Sequence, residues 1–426
     1  MSTLTHSDLS EAPRLLDVES VRKDFPVLER LVHGDRPLVY LDSANTSQKP
    51  RLVIDAITDY YSQHNANVAR AMHVLGAEST ELFEGARDKV AAFIGAPRRE
   101  EVVFTKNSSE ALNLVANVLA WADQPHGLRP GDEVVITEME HHSNIVPWQL
   151  VTQRTGATLK WLTVDDDGRL DLSQLDRIVT ERTKVVSLVH VSNALGTLNP
   201  VDVVARRAHE VGALVVVDAS QSVPQLPVDV TALGADFVAF TGHKMCGPTG
   251  IGVLWGRYDL LASLPPFLGG GEMIEVVDLA GSTYAAPPHR FEAGTPPIAQ
   301  AVGLGAAVDY LSGIGMDVVA AHERAITAYA LDRLAEVDGV RVIGPTTTDN
   351  RGGAISLVVD GVHPHDVSQI LDARGVAVRA GHHCARPVCQ RFGVPATTRA
   401  SFYLYTAPRE IDAMIEGLHD VKRYFG

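Results

Sequence analysis

Seven short runs rich in β-branched and apolar residues recur between Glu101 and Trp255, and a helical or loop stretch separates each from the next. They cover 101–105 (EVVFT), 133–137, 158–164, 184–191, 213–218, 236–240 and 252–255. Apolar strands interleaved with helices belong in a mainly parallel sheet covered on both faces. Parallel crossovers are right-handed, and ligands gather at the carboxyl ends of such strands. The expected class is therefore α/β, with a large domain built on that sheet.

A second region begins near Gly303. Residues 302–311 and 320–334 read as helices, 354–359 as a strand, His363-Pro-His-Asp as a helix cap, 376–380 (VAVRA) as a strand, and 411 to about 424 as a closing helix. This pattern describes a smaller α+β domain. At 426 residues the chain is long enough for two cores. The expected division is an N-terminal segment, 1–35, packing with the small domain, a large domain over 36–302 and a small domain over 303–426. Paired prolines and Gly269-Gly270-Gly271 mark a loop-rich stretch between the two regions.

The net charge of −15 repels phosphate backbones and anionic lipid, so neither nucleic acid nor membrane is an expected partner. Residues 1–17 lack the apolar core of a signal peptide, and no apolar run is long enough to span a bilayer. Three cysteines, an odd and small number, argue against a disulfide framework and for a reducing cytoplasm.

The candidate chemistry centres on Thr241-Gly242-His243-Lys244, which follows the run at 236–240. A lysine at a strand end, beside glycine and a hydroxyl, suits a Schiff base with a cofactor aldehyde, although a lone lysine is more often a surface residue. Asp218 closes another buried run, where a carboxylate is costly unless paired; a protonated pyridine nitrogen is such a partner. Gln221 lies near enough in sequence to reach a ring hydroxyl. Asn107-Ser108-Ser109 opens a helix, which serves equally as a phosphate site or as a plain cap. His141 and His142 follow the run at 133–137, where an imidazole could stack on a ring and move protons. In Gly381-His382-His383-Cys384, neighbours on an extended chain point to opposite sides, so at most two converge easily. No ligand spacing supports a metal at either histidine pair.

Longer motifs carry a resemblance. TKNSSEALNLVAN, EMEHHSNIVPWQ, HVSNALGT, VVDASQSVPQ, FTGHKMCGPTGIGVLWG, RFEAGTPPIAQAVG, VAVRAGHHCARP and TTRASFYLY occur in this order from about Val39 to Tyr405. With them the chain resembles the fold-type I pyridoxal phosphate enzymes of the class V aminotransferase group. Within that group it resembles the SUF-type cysteine desulfurases, in wording nearest to actinobacterial members. The resemblance implies a pyridoxal 5′-phosphate cofactor joined to Lys244, with Asp218 at the pyridine nitrogen, Gln221 at the ring oxygen and His141 stacked on the ring. Ser108, Ser109, Thr241 and His243 correspond to the phosphate site. Thr295 corresponds to a phosphate contact supplied by a neighbouring subunit, hence a homodimer. Asn193, Arg399 and Arg379 correspond to residues around the substrate carboxylate, and Cys384 to the cysteine that takes sulfur from L-cysteine as a persulfide. Cys384 stands between His383 and the basic Arg386, a setting that favours a reactive thiol; its plainer reading is a buried inert one. An acceptor protein, a zinc-containing U-type protein in related Gram-positive systems, would collect the sulfur for iron–sulfur assembly or another pathway.

Thr406-Ala407 after Tyr405 departs from the family wording, where relatives often have Asn-Thr, and three further positions do so as well. Ala69 stands where a histidine is usual, Ala71 where a glycine is, and Asn45 where a small residue is. They leave open a specialised paralogue acting on a cysteine derivative: another C–S lyase, a selenocysteine lyase or a cysteine-sulfinate desulfinase. A non-catalytic relay protein is the third possibility, and retention of Lys244, Asp218, Arg399 and Cys384 together argues against it.

Overall fold

The computed structural model describes residues 16–69, 72–121 and 126–425, so residues 1–15 of the N-terminal segment, and Ala71, lie outside the described residues. All seven runs form strands of one sheet: β1 Val102–Thr105, β2 Glu133–Thr137, β3 Thr158–Leu162, β4 Thr183–Val189, β5 Leu214–Asp218, β6 Phe237–Thr241 and β7 Gly252–Gly256. Their order across the sheet is β1-β7-β6-β5-β4-β2-β3. β7 pairs antiparallel with both neighbours, while β2 to β6 pair in parallel. The cause is the short connection from Thr241 to Gly252, since a parallel crossover needs a dozen or more residues.

Alternate residues of each strand enter opposite cores, as the two-residue period requires. Val215 and Val217 face one apolar cluster and Val216 the other. Helix α1 (Val74–Phe93) and helix α3 (Ile298–Ile314) cover the first face. Helix α2 (Ser108–Leu119) covers the second with Ala111, Leu112 and Val115. A fully buried leucine such as Leu304 of α3 stabilises by roughly 2–3 kcal/mol.

α3 runs through position 302 without a break, and its buried residues belong to the large core. The chain turns at Gly315 (φ 95°) into helix α4 (Met316–Ala335), whose Ile326, Ala330 and Leu334 belong to a third core. That core sits under an antiparallel sheet of β8 Val340–Ile343, β9 Ala354–Val359, β10 Arg379–Gly381 and β11 Thr397–Ser401, ordered β8-β9-β11-β10. Helix α5 (Pro408–Phe425) closes it. The single strand expected at 376–380 is divided: Val376–Ala377 pairs with Val39–Tyr40, and β10 pairs with β11. The N-terminal segment reaches the C-terminal region through Arg22, which donates to the Tyr405 carbonyl (2.6 Å) and to Glu410 (2.7 Å).

Candidate active site

One cavity opens at the carboxyl ends of the parallel strands, with about 760 Å³ of space including its mouth. Twelve of the thirteen residues singled out from the sequence line it. Ser108 and Ser109 follow β1, His141 follows β2, Asn193 follows β4, Asp218 ends β5 with Gln221 just beyond, and Thr241 ends β6 with His243 and Lys244 just beyond. The C-terminal region supplies Arg379, Cys384 and Arg399. Those of the large sheet stand on the last residue of a buried strand or in the turn or helix start that follows it, whereas Arg379 opens β10 and Arg399 lies within β11.

At one end of the cavity Asn107 caps α2 by accepting the Glu110 N–H (2.9 Å), and the amides of Ser108 and Ser109 face no protein acceptor among the described residues. Capping and anion-binding are thus compatible there. The Ser109 hydroxyl meets Ser143 at 2.5 Å, and His243 Nδ1 meets Thr46 at 3.2 Å. Gly252 permits this end to form, because a Cβ there would lie 2.4 Å from Asn107 Cα. In the middle, Asp218 is 3% exposed and accepts the Ser220 N–H at 3.0 Å. Gln221 donates to the Ala44 carbonyl (2.7 Å).

At the other end, Arg399 is held by the Asn193 carbonyl (2.9 Å) and by Asp42 (3.2 Å), with Arg379 at 3.8 Å from the same carboxylate. Burial pushes the Asp42 carboxyl up, against the pull of the two guanidiniums. Asn193 gives its amide nitrogen to the His383 carbonyl (2.6 Å), while its oxygen has no partner. A bound carboxylate would therefore draw its donors from Arg399, and the free Asn193 oxygen suits a donor on the ligand. Replacing Arg399 by Lys should raise KM for the substrate by about tenfold or more, with a smaller change in kcat, because a lysine keeps the charge and loses the planar fork. Steady-state kinetics checks this; an unchanged KM removes Arg399 from the carboxylate site.

Five of the ten buried side-chain polar atoms that lack a partner among the described residues belong to this cavity wall: Asn193 Oδ1, Ser220 Oγ, Thr241 Oγ1, His383 Nδ1 and Arg399 Nε. Buried polar groups are rarely left unpaired, so their concentration in one wall marks the seat of a polar ligand. The helix-end amides, the buried carboxylate and the enclosed lysine that line this one cavity fit pyridoxal phosphate.

The electrostatics agree with that fit. Burial lowers the Lys244 ammonium to about 8, helped by Arg399 and opposed by Asp218. A free amine is thus available near neutral pH. Reloading of the stripped protein with pyridoxal phosphate should quicken as pH rises and level off above about 8 rather than above the usual lysine range. Stopped-flow absorbance measures it; a rate still climbing past pH 10 (roughly the ordinary lysine value) would sink the assignment. Burial, with the charge on Lys244, lowers His141 to about 4. Its Nδ1 accepts the Ser143 N–H (3.1 Å), so the neutral ring carries its proton on Nε2.

The expectation of an extended chain at 381–384 is corrected. His383 (φ 51°) and Cys384 (φ 55°) are both left-handed, which folds the run back so that both line the cavity. Cys384 is exposed, and Cys246 and Cys389 are buried.

Thr295 lies elsewhere, exposed in a depression it shares with Lys106 and Gln300. Asn45 lines the main cavity. Ala69 (φ 56°) borders a different one, beside Gly294 and Pro296. The sequence reading missed Asp42, Ser143, Ser220 and Glu140. Glu140 is fully enclosed and ties the turn carrying His141 to Thr137 (2.5 Å), Asn144 (2.7 Å) and the Val189 N–H (2.9 Å). Asp42 had a signal, an acid inside Leu41-Asp-Ser-Ala, but its partner is 357 positions away.

A model of the aminotransferase class-V family matches residues 39–414. A probable cysteine desulfurase of Streptomyces coelicolor is 66% identical over 418 residues, covering 98% of this chain and 100% of its own. A cysteine desulfurase of Haloferax volcanii is 52% identical, covering 96% of this chain and 98% of its own. Among solved structures, an apo cysteine desulfurase from Thermococcus onnurineus matches with a TM-score of 0.90 at 40% identity, covering 97% of this chain and all (100%) of that one.

Proposed function

Because the chain belongs to the aminotransferase class-V family, we propose that it is a pyridoxal phosphate-dependent cysteine desulfurase that converts L-cysteine to L-alanine and keeps the sulfur on Cys384. When bound, pyridoxal phosphate supplies an electron sink that makes the substrate α-proton removable. Asp218 would pair with the protonated pyridine nitrogen, and the neutral His141 ring would lie against the cofactor ring. Gln221 would serve the ring oxygen, and Ser108, Ser109, Thr241 and His243 would serve the phosphate. Arg399, oriented by Asp42, takes the substrate carboxylate, with Arg379 beside it at the mouth. Lys244, with its lowered pKa, takes the α-proton and returns one at the end. The Cys384 thiolate attacks the substrate sulfur: the new S–S bond forms as the C–S bond breaks, and the carbon keeps the electron pair and is protonated to alanine.

The observation that carries this reading is the convergence in one cavity of an enclosed lysine, a buried carboxylate and an exposed free cysteine from distant parts of the chain. The test is to supply cysteine with a reductant and to measure alanine and sulfide. Equal amounts of both support the reading. Consumption of a different amino acid with no alanine from cysteine refutes it.

The chain acts as a homodimer in this proposal. Thr295 is exposed and away from its own cavity, and Met72 and Val74 stand 99% and 72% exposed on the same chain. A monomeric mass in solution would remove that part. A sulfur-acceptor protein docks at the exposed Cys384 in the cytoplasm, where the three cysteines, all unpaired, stay reduced. Among the described residues no single helix is long and apolar enough to cross a membrane.

A further inference from the structure

We propose that His142 is a positioning residue for Cys384, holding the cysteine-bearing turn from the large domain at two points. Its backbone N–H donates to the Cys384 carbonyl (2.7 Å), and its ring Nε2 accepts the Arg386 N–H (3.2 Å). The inference rests on the reading that Cys384 receives sulfur, and it concerns what keeps that thiol over the cavity.

The turn needs outside support. Two successive non-glycine residues in the left-handed region, His383 and Cys384, cost about 1 kcal/mol or more each, and such geometry persists only where surroundings impose it. Within the turn one backbone bond is present, from Ala385 N–H to the His382 carbonyl (2.8 Å). The His383 ring meets Thr397 of β11 at 2.7 Å, and the other hydrogen bonds to the turn's backbone come from residues that follow strands of the large sheet. Asn193 holds the His383 carbonyl (2.6 Å), and His142 holds the next carbonyl and the amide two residues on. No hydrogen bond to the Cys384 thiol is found among the described residues, so its place is set through the backbone. Of the two contacts from His142, only the ring contact can be removed by substitution.

The ring must be neutral, with its proton on Nδ1, for Nε2 to accept. Burial lowers its pKa, with His382 and Arg386 adding to the effect. The groups facing it are His141 on its own turn, with ring centroids 6.4 Å apart, and His382 and Arg386 on the cysteine turn. All of these are neutral or cationic. Protonation would set N–H against N–H and release the pin. The two adjacent histidines thus do different work: His141 faces the cofactor seat, and His142 faces the sulfur-carrying turn.

The test uses the holoenzyme and two variants, His142→Ala and His142→Gln, whose amide oxygen can reach the place of Nε2. Iodoacetamide alkylation of Cys384, located by peptide mass, is measured beside kcat and KM for cysteine. The expected result for His142→Ala is alkylation about fivefold faster and kcat about fivefold lower, the equivalent of one lost hydrogen bond, with KM unchanged. His142→Gln should return both toward the parent. As pH falls below neutrality, the ratio of parent to Gln alkylation rates should rise, because only the parent's pin protonates; taking the ratio cancels thiol ionisation. Alkylation unchanged in His142→Ala, whatever happens to kcat or KM, overturns the proposal, as does a ratio that stays flat with pH. If the parent makes no alanine from cysteine, the functional reading fails while the alkylation comparison still decides the role of His142.

Discussion

Cys384→Ala should lower alanine and sulfide release from cysteine by at least about a thousandfold, the scale on which loss of a catalytic nucleophile is felt. No other thiol can take its place. Burial pushes Cys246 up to about 12 and also raises Cys389, and neither lines the cavity. The substitution is also clean in the backbone. Alanine carries the same Cβ as cysteine, so the left-handed conformation at this position is no more strained than before. Cofactor loading and KM for binding steps should therefore persist, which separates lost chemistry from lost fold. A variant that releases alanine at more than a small fraction of the parent rate shows that the persulfide is not formed here.

The second large effect is expected at Lys244. Lys244→Ala should remove covalent cofactor attachment and lower turnover by roughly a thousandfold or more, since the amine that captures the cofactor and the base that takes the α-proton are one group. The cofactor's visible band should shift and wash out on dialysis. Stability of the stripped protein should hold. The ammonium is enclosed and its ionised form is disfavoured by burial, so its removal relieves a desolvation cost. A variant that retains the band through dialysis places the attachment at another lysine, and Lys49 is the nearest alternative. It too is lowered to about 8 by burial, but its ammonium donates to the Ser47 (2.5 Å) and His243 (2.9 Å) carbonyls.

The large sheet was legible because its strands are short apolar runs with a fixed period, and side-chain burial in a parallel sheet writes itself into composition. Asp218 stood out for a local reason: an acid that ends Leu214–Asp218 is anomalous in a buried strand. β11 was not legible by pattern, because Thr397–Ser401 is fully buried yet mostly polar, its side chains engaged with His383, Pro364 and Asp42 rather than with an apolar core. The reversed β7 followed from the length of one connection and not from the residues in the strand.

By itself, then, the sequence determined the α/β class, the strand ends that carry His141, Asp218 and Lys244, and through its motifs the family and the cofactor. These are properties of local runs, in which burial and turn chemistry act over a few residues. Only the tertiary structure decided how Arg399 is held by Asp42, which way the Asn193 amide faces, that His383 and Cys384 fold back in left-handed conformation, that His142 pins the cysteine turn, and that Thr295 lies outside its own chain's cavity. The hydrogen bonds among these join residues 190, 244 and 357 positions apart. Hydrogen bonds and ion pairs of that range leave no periodicity in the chain that makes them.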